Sequence, residues 1–249
     1  MVKFFGIIPA RYPSSRLPGK PLALIGGVPM VQRVYEQCLK CTALAGLAVA
    51  TDDERIADTV KSFGGNVVMT DANHPSGTDR CFEAAQKLFG TDTDNTVIIN
   101  IQGDEPFIDP ALIDLLAGAF TNAEVEIATL IKKITIFQDL FSPDTAKVLI
   151  DAASNALYFS RAPIPFIRNH APEKWLNHHT FYKHIGIYAY RYATLAKLVA
   201  LKPSVLEEAE LLEQLRWLEN GFKINTQLTE YEGFAVDTNR DLQKANTMV

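Results

Sequence analysis

The stretch FFGIIPARYPSSRLPGKPL, residues 4–22, decides the fold. Its first five residues form a short apolar run, best read as a buried strand. The chain then breaks into Pro, Arg, Ser, Gly and Lys. Arg11, Arg16 and Lys20 place three positive charges within ten residues, with no acid among them. A nucleoside triphosphate needs fixed cations and free backbone N–H groups, and residues 11–20 offer both. Gly19 lets the backbone approach a ligand closely. A solvated basic surface loop is the competing reading. The pattern G-x-x-x-x-G-K fails, because Ser14 stands where its first glycine belongs. No G-x-G-x-x-G follows the strand, so a dinucleotide oxidoreductase is not indicated.

Working outward, the first half alternates strands and helices. Apolar runs at 47–51, 66–70 and 96–102 read as further strands. Helical spacing covers 29–39, the stretch from Asp52 or Asp53 to about 63, residues 76–89, and Asp109-Pro110 to about 120. This alternation predicts an α/β fold: a Rossmann-like three-layer sandwich with a mostly parallel sheet. Ligands of such sheets sit beyond the carboxyl ends of the strands. That points to residues 11–20, 51–52, 74–80 and 102–105. After about residue 125 the pattern changes. IATLIKKI, AKVLIDA, ALYFSRA and HIGIYAYR read as strands of a smaller mixed-sheet lobe, about 125–200, within a single domain spanning 1–249. A helix over 205–218, a strand near 223–228 and a helix after Thr238 complete the expectation.

The 249 residues carry a formal charge of −5, which argues against a sequence-independent nucleic-acid binder. The N-terminal apolar run is cut short by Pro9 and Arg11, so neither a signal peptide nor membrane insertion is expected. A cytoplasmic location follows as an expectation. Cys38 and Cys41 form C-x-x-C late in a helix with no second such pair, and read as ordinary reduced thiols.

Three further constellations can carry chemistry. NIQGDEP, residues 100–106, ends a strand in Asp104 and Glu105, hard oxygen donors suited to Mg²⁺. Gln102 can read a base edge or a sugar hydroxyl. A helix-capping turn before Asp109 is the alternative. Asp237, in VDT, is either a second metal ligand or a helix cap. In the lobe, Arg161 follows a strand, His184 and Tyr188 share a strand face, and Glu213 and Gln214 lie on a helix. No H-E-x-x-H occurs, so zinc hydrolysis is not indicated.

Taken together, IIPARYPSSRLPGKPL, HPSGTDR, VIINIQGDEP, ALYFSRAPIP, HIGIYAYR, LEQLRWLENG and VDTNRDL resemble the 3-deoxy-manno-octulosonate (KDO) cytidylyltransferase family, in order and over nearly the whole chain. The resemblance implies transfer of CMP from CTP to the anomeric hydroxyl of KDO, with release of pyrophosphate, for lipopolysaccharide synthesis. It implies that Arg11, Arg16 and Lys20 hold the triphosphate, and that Ser14, Ser76, Thr78, Arg80 and Gln102 belong to the nucleotide site. Asp104 and Asp237 would bind Mg²⁺, and Arg16, Lys20, Asp104 and Asp237 would form the catalytic group. Arg161, His184, Tyr188, Glu213 and Gln214 would surround the sugar acid. A homodimer through the lobe is also implied. One departure is Ala235, where glycine is expected; residues 168–180 match no pattern. Competing readings are a cytidylyltransferase for another acidic sugar, a nucleotide-sugar glycosyltransferase, whose acid-x-acid metal motif Asp92-Thr93-Asp94 matches in letters but at the wrong end of the sheet, and a non-catalytic binding module.

Overall fold

The computed structural model describes residues 2–14, 16–90 and 95–249. Asp92-Thr93-Asp94 therefore lie outside the described residues. The first half runs β1 (Lys3–Ala10), β2 (Leu24–Ile25), β3 (Val28–Pro29), α1 (Met30–Cys38), β4 (Leu44–Thr51), α2 (Glu54–Ser62), β5 (Val67–Met69), α3 (Gly77–Phe89), β6 (Thr96–Asn100) and α4 (Pro110–Ala119). The second half runs β7 (Ile127–Lys133), α5 (Phe137–Phe141), β8 (Lys147–Ile150), β9 (Ala156–Ser160), α6 (Trp175–His178), β10 (Tyr182–Arg191), α7 (Tyr192–Val199), α8 (Val205–Glu210), α9 (Gln214–Glu219), β11 (Asn225–Leu228) and α10 (Asn239–Asn246).

Two compact units result. The first comprises residues 1–117, 189–199 and 232–249. Its strands lie in the order β6-β1-β4-β5, and the three pairings are parallel. Ile7 and Ile8 of β1 and Ile98 and Ile99 of β6 are wholly buried. Each such side chain contributes about 1.5–3 kcal/mol through burial. Helix α1 turns Met30, Val31, Val34, Tyr35 and Cys38 inward, the spacing of one helical face. Helix α2 is capped by Asp53, whose side chain accepts from the Arg55 N–H. Cys38 and Cys41 are free and buried. Burial pushes the Cys38 thiol far up and Cys41 to about 11, so both stay protonated, with Cys41 Sγ donating to Asp114.

The second unit comprises residues 118–188 and 200–231. Here β11 pairs parallel with β7, while β8 pairs antiparallel with both β10 and β9. That is the mixed sheet expected of this region. Ile134, Leu140, Trp175 and Phe181 form one of its cores.

One expectation needs correction, and one element is additional to those expected. The helix over 205–218 is broken into α8 and α9, because Leu211 adopts a left-handed conformation with φ 53°. Arg161 fixes the break, donating from Nε to the Glu210 carbonyl (2.6 Å) and from Nη2 to that of Leu211 (3.3 Å). The β2–β3 hairpin was not anticipated. Gly26 and Gly27, both at positive φ, make its two-residue turn.

Candidate active site

The loop after β1 is held by its own contacts. Leu17 is buried, its N–H donates to Ser14 Oγ (3.3 Å), and the Gly19 N–H donates to the Tyr12 carbonyl (3.0 Å). Gly19 sits at φ 69° and leads into a single helical turn at Lys20–Leu22. This brings the Lys20 ammonium between two carboxylates, 2.8 Å from Asp104 Oδ2 and 3.0 Å from Asp237 Oδ1. Arg16 adds a third cation–anion contact, 3.1 Å from Asp237 Oδ1. Burial alone would lower the Lys20 pKa, but Asp104 and then Asp237 outweigh it, and the net shift is upward.

The two acids are not helix caps. Asp109 serves α4, its Oδ1 accepting from the Ala111 N–H, and Thr238 caps α10 in a reciprocal box with Asp241. Both carboxylates are thus left facing Lys20. The Val236 N–H donates to the Asp104 carbonyl at 2.9 Å, tying the two acidic turns together. Gly103 lets the turn bearing Asp104 lie against the end of β1, since a Cβ there would stand 2.9 Å from the Pro9 carbonyl oxygen.

These residues border a cavity of about 350 Å³ in the first unit. Arg11, Ser14, Arg16, Lys20, Ser76, Arg80, Gln102, Asp104 and Asp237 all line it. Thr78 does not: it is buried in the first turn of α3, its N–H donating to Ser76 Oγ. Arg80 is also buried, with Nη1 on Asp52 (2.9 Å) and on Thr70 Oγ1 (2.6 Å), so its reach into the cavity is fixed from behind. His74 lines the cavity too, a residue of the 74–80 stretch that is not among the expected site residues. Its ring nitrogen Nε2 meets Glu83. Burial would raise the Glu83 carboxyl, but Lys87, the Asp71 N–H and His74 hold it down to about 2, so it stays ionised. The sequence signal for His74 was only its place before the Ser76 cap.

The five sugar-pocket candidates all belong to the second unit. His184 Nε2 lies 2.9 Å from Thr129 Oγ1, and burial pushes the imidazole down to about 4. Its ring is 5.1 Å from that of Tyr188, confirming the shared strand face. Burial, then Glu213, push the Tyr188 hydroxyl well up, so it stays neutral. Glu213 pairs with Arg216 at 2.9 Å, and Gln214 is buried at the start of α9. Arg161 gives one N–H from each guanidinium nitrogen to the carbonyls of Glu210, Pro143 and Leu211. Two of its five N–H groups remain.

A family model described as cytidylyltransferase matches residues 5–224. The chain is 53% identical to the 3-deoxy-manno-octulosonate cytidylyltransferase of Parabacteroides distasonis, over 98% of this chain and 97% of that one. It is 54% identical to the enzyme of the same name from Cytophaga hutchinsonii, over 97% and 95%. A solved structure of CMP:2-keto-3-deoxy-manno-octonic acid synthetase complexed with CTP superposes with a TM-score of 0.90 at 41% identity, covering 99% of this chain and 98% of that one. The chain belongs to the cytidylyltransferase family, and within it to the 3-deoxy-manno-octulosonate cytidylyltransferases.

Proposed function

We propose that the chain transfers CMP from CTP to the anomeric hydroxyl of KDO. The hydroxyl oxygen attacks the α-phosphorus as its proton passes to solvent, the bond from the α-phosphorus to the bridging oxygen breaks with its electron pair, and pyrophosphate leaves. The observation that carries this reading is one cavity holding Arg11, Arg16 and Lys20 beside Asp104 and Asp237. Little covalent work falls to the protein in such a step; positioning and charge neutralisation do most of it. Arg11, Arg16 and Lys20 bind and orient the triphosphate, with Ser14 holding the loop. Ser76, Arg80 and Gln102 face the nucleoside, and Thr78 supports them from the first turn of α3.

Asp104 and Asp237 fit Mg²⁺. Both are hard oxygen donors, and both converge on one cation, the Lys20 ammonium. Among the described residues no group of three or more His, Cys, Asp or Glu could hold a metal. Phosphate oxygens would therefore complete its shell. Bound there, Mg²⁺ would acidify the sugar hydroxyl and screen phosphate charge. Arg161, with two N–H groups still available, is assigned the KDO carboxylate; His184, Tyr188, Glu213 and Gln214 are assigned the rest of the sugar.

The working form is assigned as a homodimer in the cytoplasm, feeding lipopolysaccharide synthesis. No helix among the described residues is long and apolar enough to cross a membrane. The dimer is supported by exposed apolar side chains in the second unit: Phe141 and Phe166 pack on Trp175, Phe137 packs on Phe141, and Ile136 beside it is exposed as well. The deciding experiment is pyrophosphate release with each NTP against a panel of acidic sugars. Turnover is expected with CTP and KDO and is lost on chelating divalent cations. Equal turnover with another acidic sugar would move the assignment to that acceptor.

A further inference from the structure

A loop that grips a triphosphate binds best when its cations are already in place, since ordering them on binding costs affinity. In this chain part of that order comes from outside the loop. The Tyr12 ring lies so close over Gly19 that a Cβ there would stand 3.0 Å from the ring. Lys20 is the next residue, so the ring's position limits where Lys20 begins. The Arg55 guanidinium in turn lies 3.4 Å from the centroid of the Tyr12 ring. Arg55 is fixed by a two-pronged contact, Nε to Asp53 Oδ1 (2.9 Å) and Nη2 to Asp53 Oδ2 (2.6 Å). Asp53 is anchored as the cap of α2. A continuous chain of contacts thus runs from a helix terminus through Asp53, Arg55 and Tyr12 to Gly19 and Lys20.

We propose that Arg55 is a positioning residue for CTP binding, acting through the Tyr12 ring on the Gly19–Lys20 backbone without touching the nucleotide. The proposal rests on the assignment of CTP to this loop. A plain surface ion pair would do little, because the Arg55 side chain is 58% exposed. What sets it apart is that one planar group both forks onto a carboxylate and stacks on a ring. Lysine cannot do both.

The test compares Arg55→Ala, Arg55→Lys, Tyr12→Phe, Tyr12→Leu and the Arg55→Ala/Tyr12→Leu double variant. Calorimetric Kd for CTP, KM for each substrate, kcat and Tm are measured for each. Arg55→Ala is expected to raise Kd and KM for CTP about two- to fivefold, the size of one cation–π contact at an exposed site. The KM for the acidic sugar and the Tm should hold. Arg55→Lys should fail to restore CTP affinity, Tyr12→Phe should retain it, and the double variant should be no weaker than Tyr12→Leu alone. Unchanged CTP affinity in Arg55→Ala would overturn the proposal. So would additive losses in the double variant, or a loss that falls equally on both substrates and on Tm. Wild-type protein that binds no CTP would remove the loop assignment itself, a result distinct from a silent Arg55.

Discussion

At the residue scale, Lys20 is the hub on which the site turns. It is the cation between Asp104 and Asp237, and it ends the loop assigned to the phosphates. Lys20→Ala should therefore both weaken CTP binding and lower kcat, with kcat/KM down roughly a hundredfold, as when one donor to developing charge is removed. Steady-state kinetics checks this; a rise confined to the KM of the sugar would move Lys20 out of the phosphate site. His184 gives a pH prediction. Its folded value of about 4 lies below the ordinary 6.5. As pH falls below about 6.5, the unfolded chain takes up a proton that the native state refuses. Stability therefore drops until about pH 4 and flattens beyond it, by about 3 kcal/mol at most. Denaturant midpoints between pH 7 and 4 should fall less steeply in His184→Gln, which keeps a side-chain amide near Thr129. Parallel profiles would mean that His184 is not the group responsible.

At the element scale, the first-half strands and helices were legible because each carries its own period, punctuated by Gly, Pro and capping acids. Helix α3 begins where Ser76 predicts, and α2 where Asp53 does. The break between α8 and α9 was not legible. LEEAELLEQLRWL contains no Gly or Pro, and the break depends on Arg161, about fifty positions upstream. The residue at the break, Leu211, is left-handed and 78% exposed, so its side chain gains little from burial to offset the strained backbone. Leu211→Gly should stabilise the fold by about 0.5–1 kcal/mol, the relief of left-handed strain less glycine's added unfolded-state entropy. Urea midpoints at unchanged m-value read this out. A destabilised variant would show that the Leu211 side chain holds the break in place.

At the scale of the whole molecule, the site was legible only in part, because its members are far apart in the chain. Lys20 meets Asp104 across 84 positions and Asp237 across 217. Their types and local turns were readable; the meeting of Lys20 and Asp104 depends on β1 and β6 being neighbours, and that of Asp237 on the Val236 N–H reaching the Asp104 carbonyl, neither of which a local pattern carries. The same limit applies to association. Leu157 on β9, in the lobe to which the family resemblance assigns the dimer contact, is 59% exposed. The aromatic face of the second unit is the stronger candidate, and no motif marked it. Phe166 is 73% exposed with its ring edge-on to Trp175 at 5.0 Å, and Ile136, Phe137 and Phe141 are exposed as well. A chain carrying net charge −5 gains solubility from that charge, so an apolar cluster of this kind is best explained by a partner surface. A second copy of the chain would bury it against its own equivalent, as two-fold contacts do. Light scattering should give a wild-type mass of twice the 27.6 kDa chain. Phe166→Glu combined with Ile136→Lys should shift it towards the single-chain mass, with the Tm lowered by loss of the partner's mass-action stabilisation. A double variant that stays dimeric would move the contact to β9, where Leu157→Glu is the corresponding test.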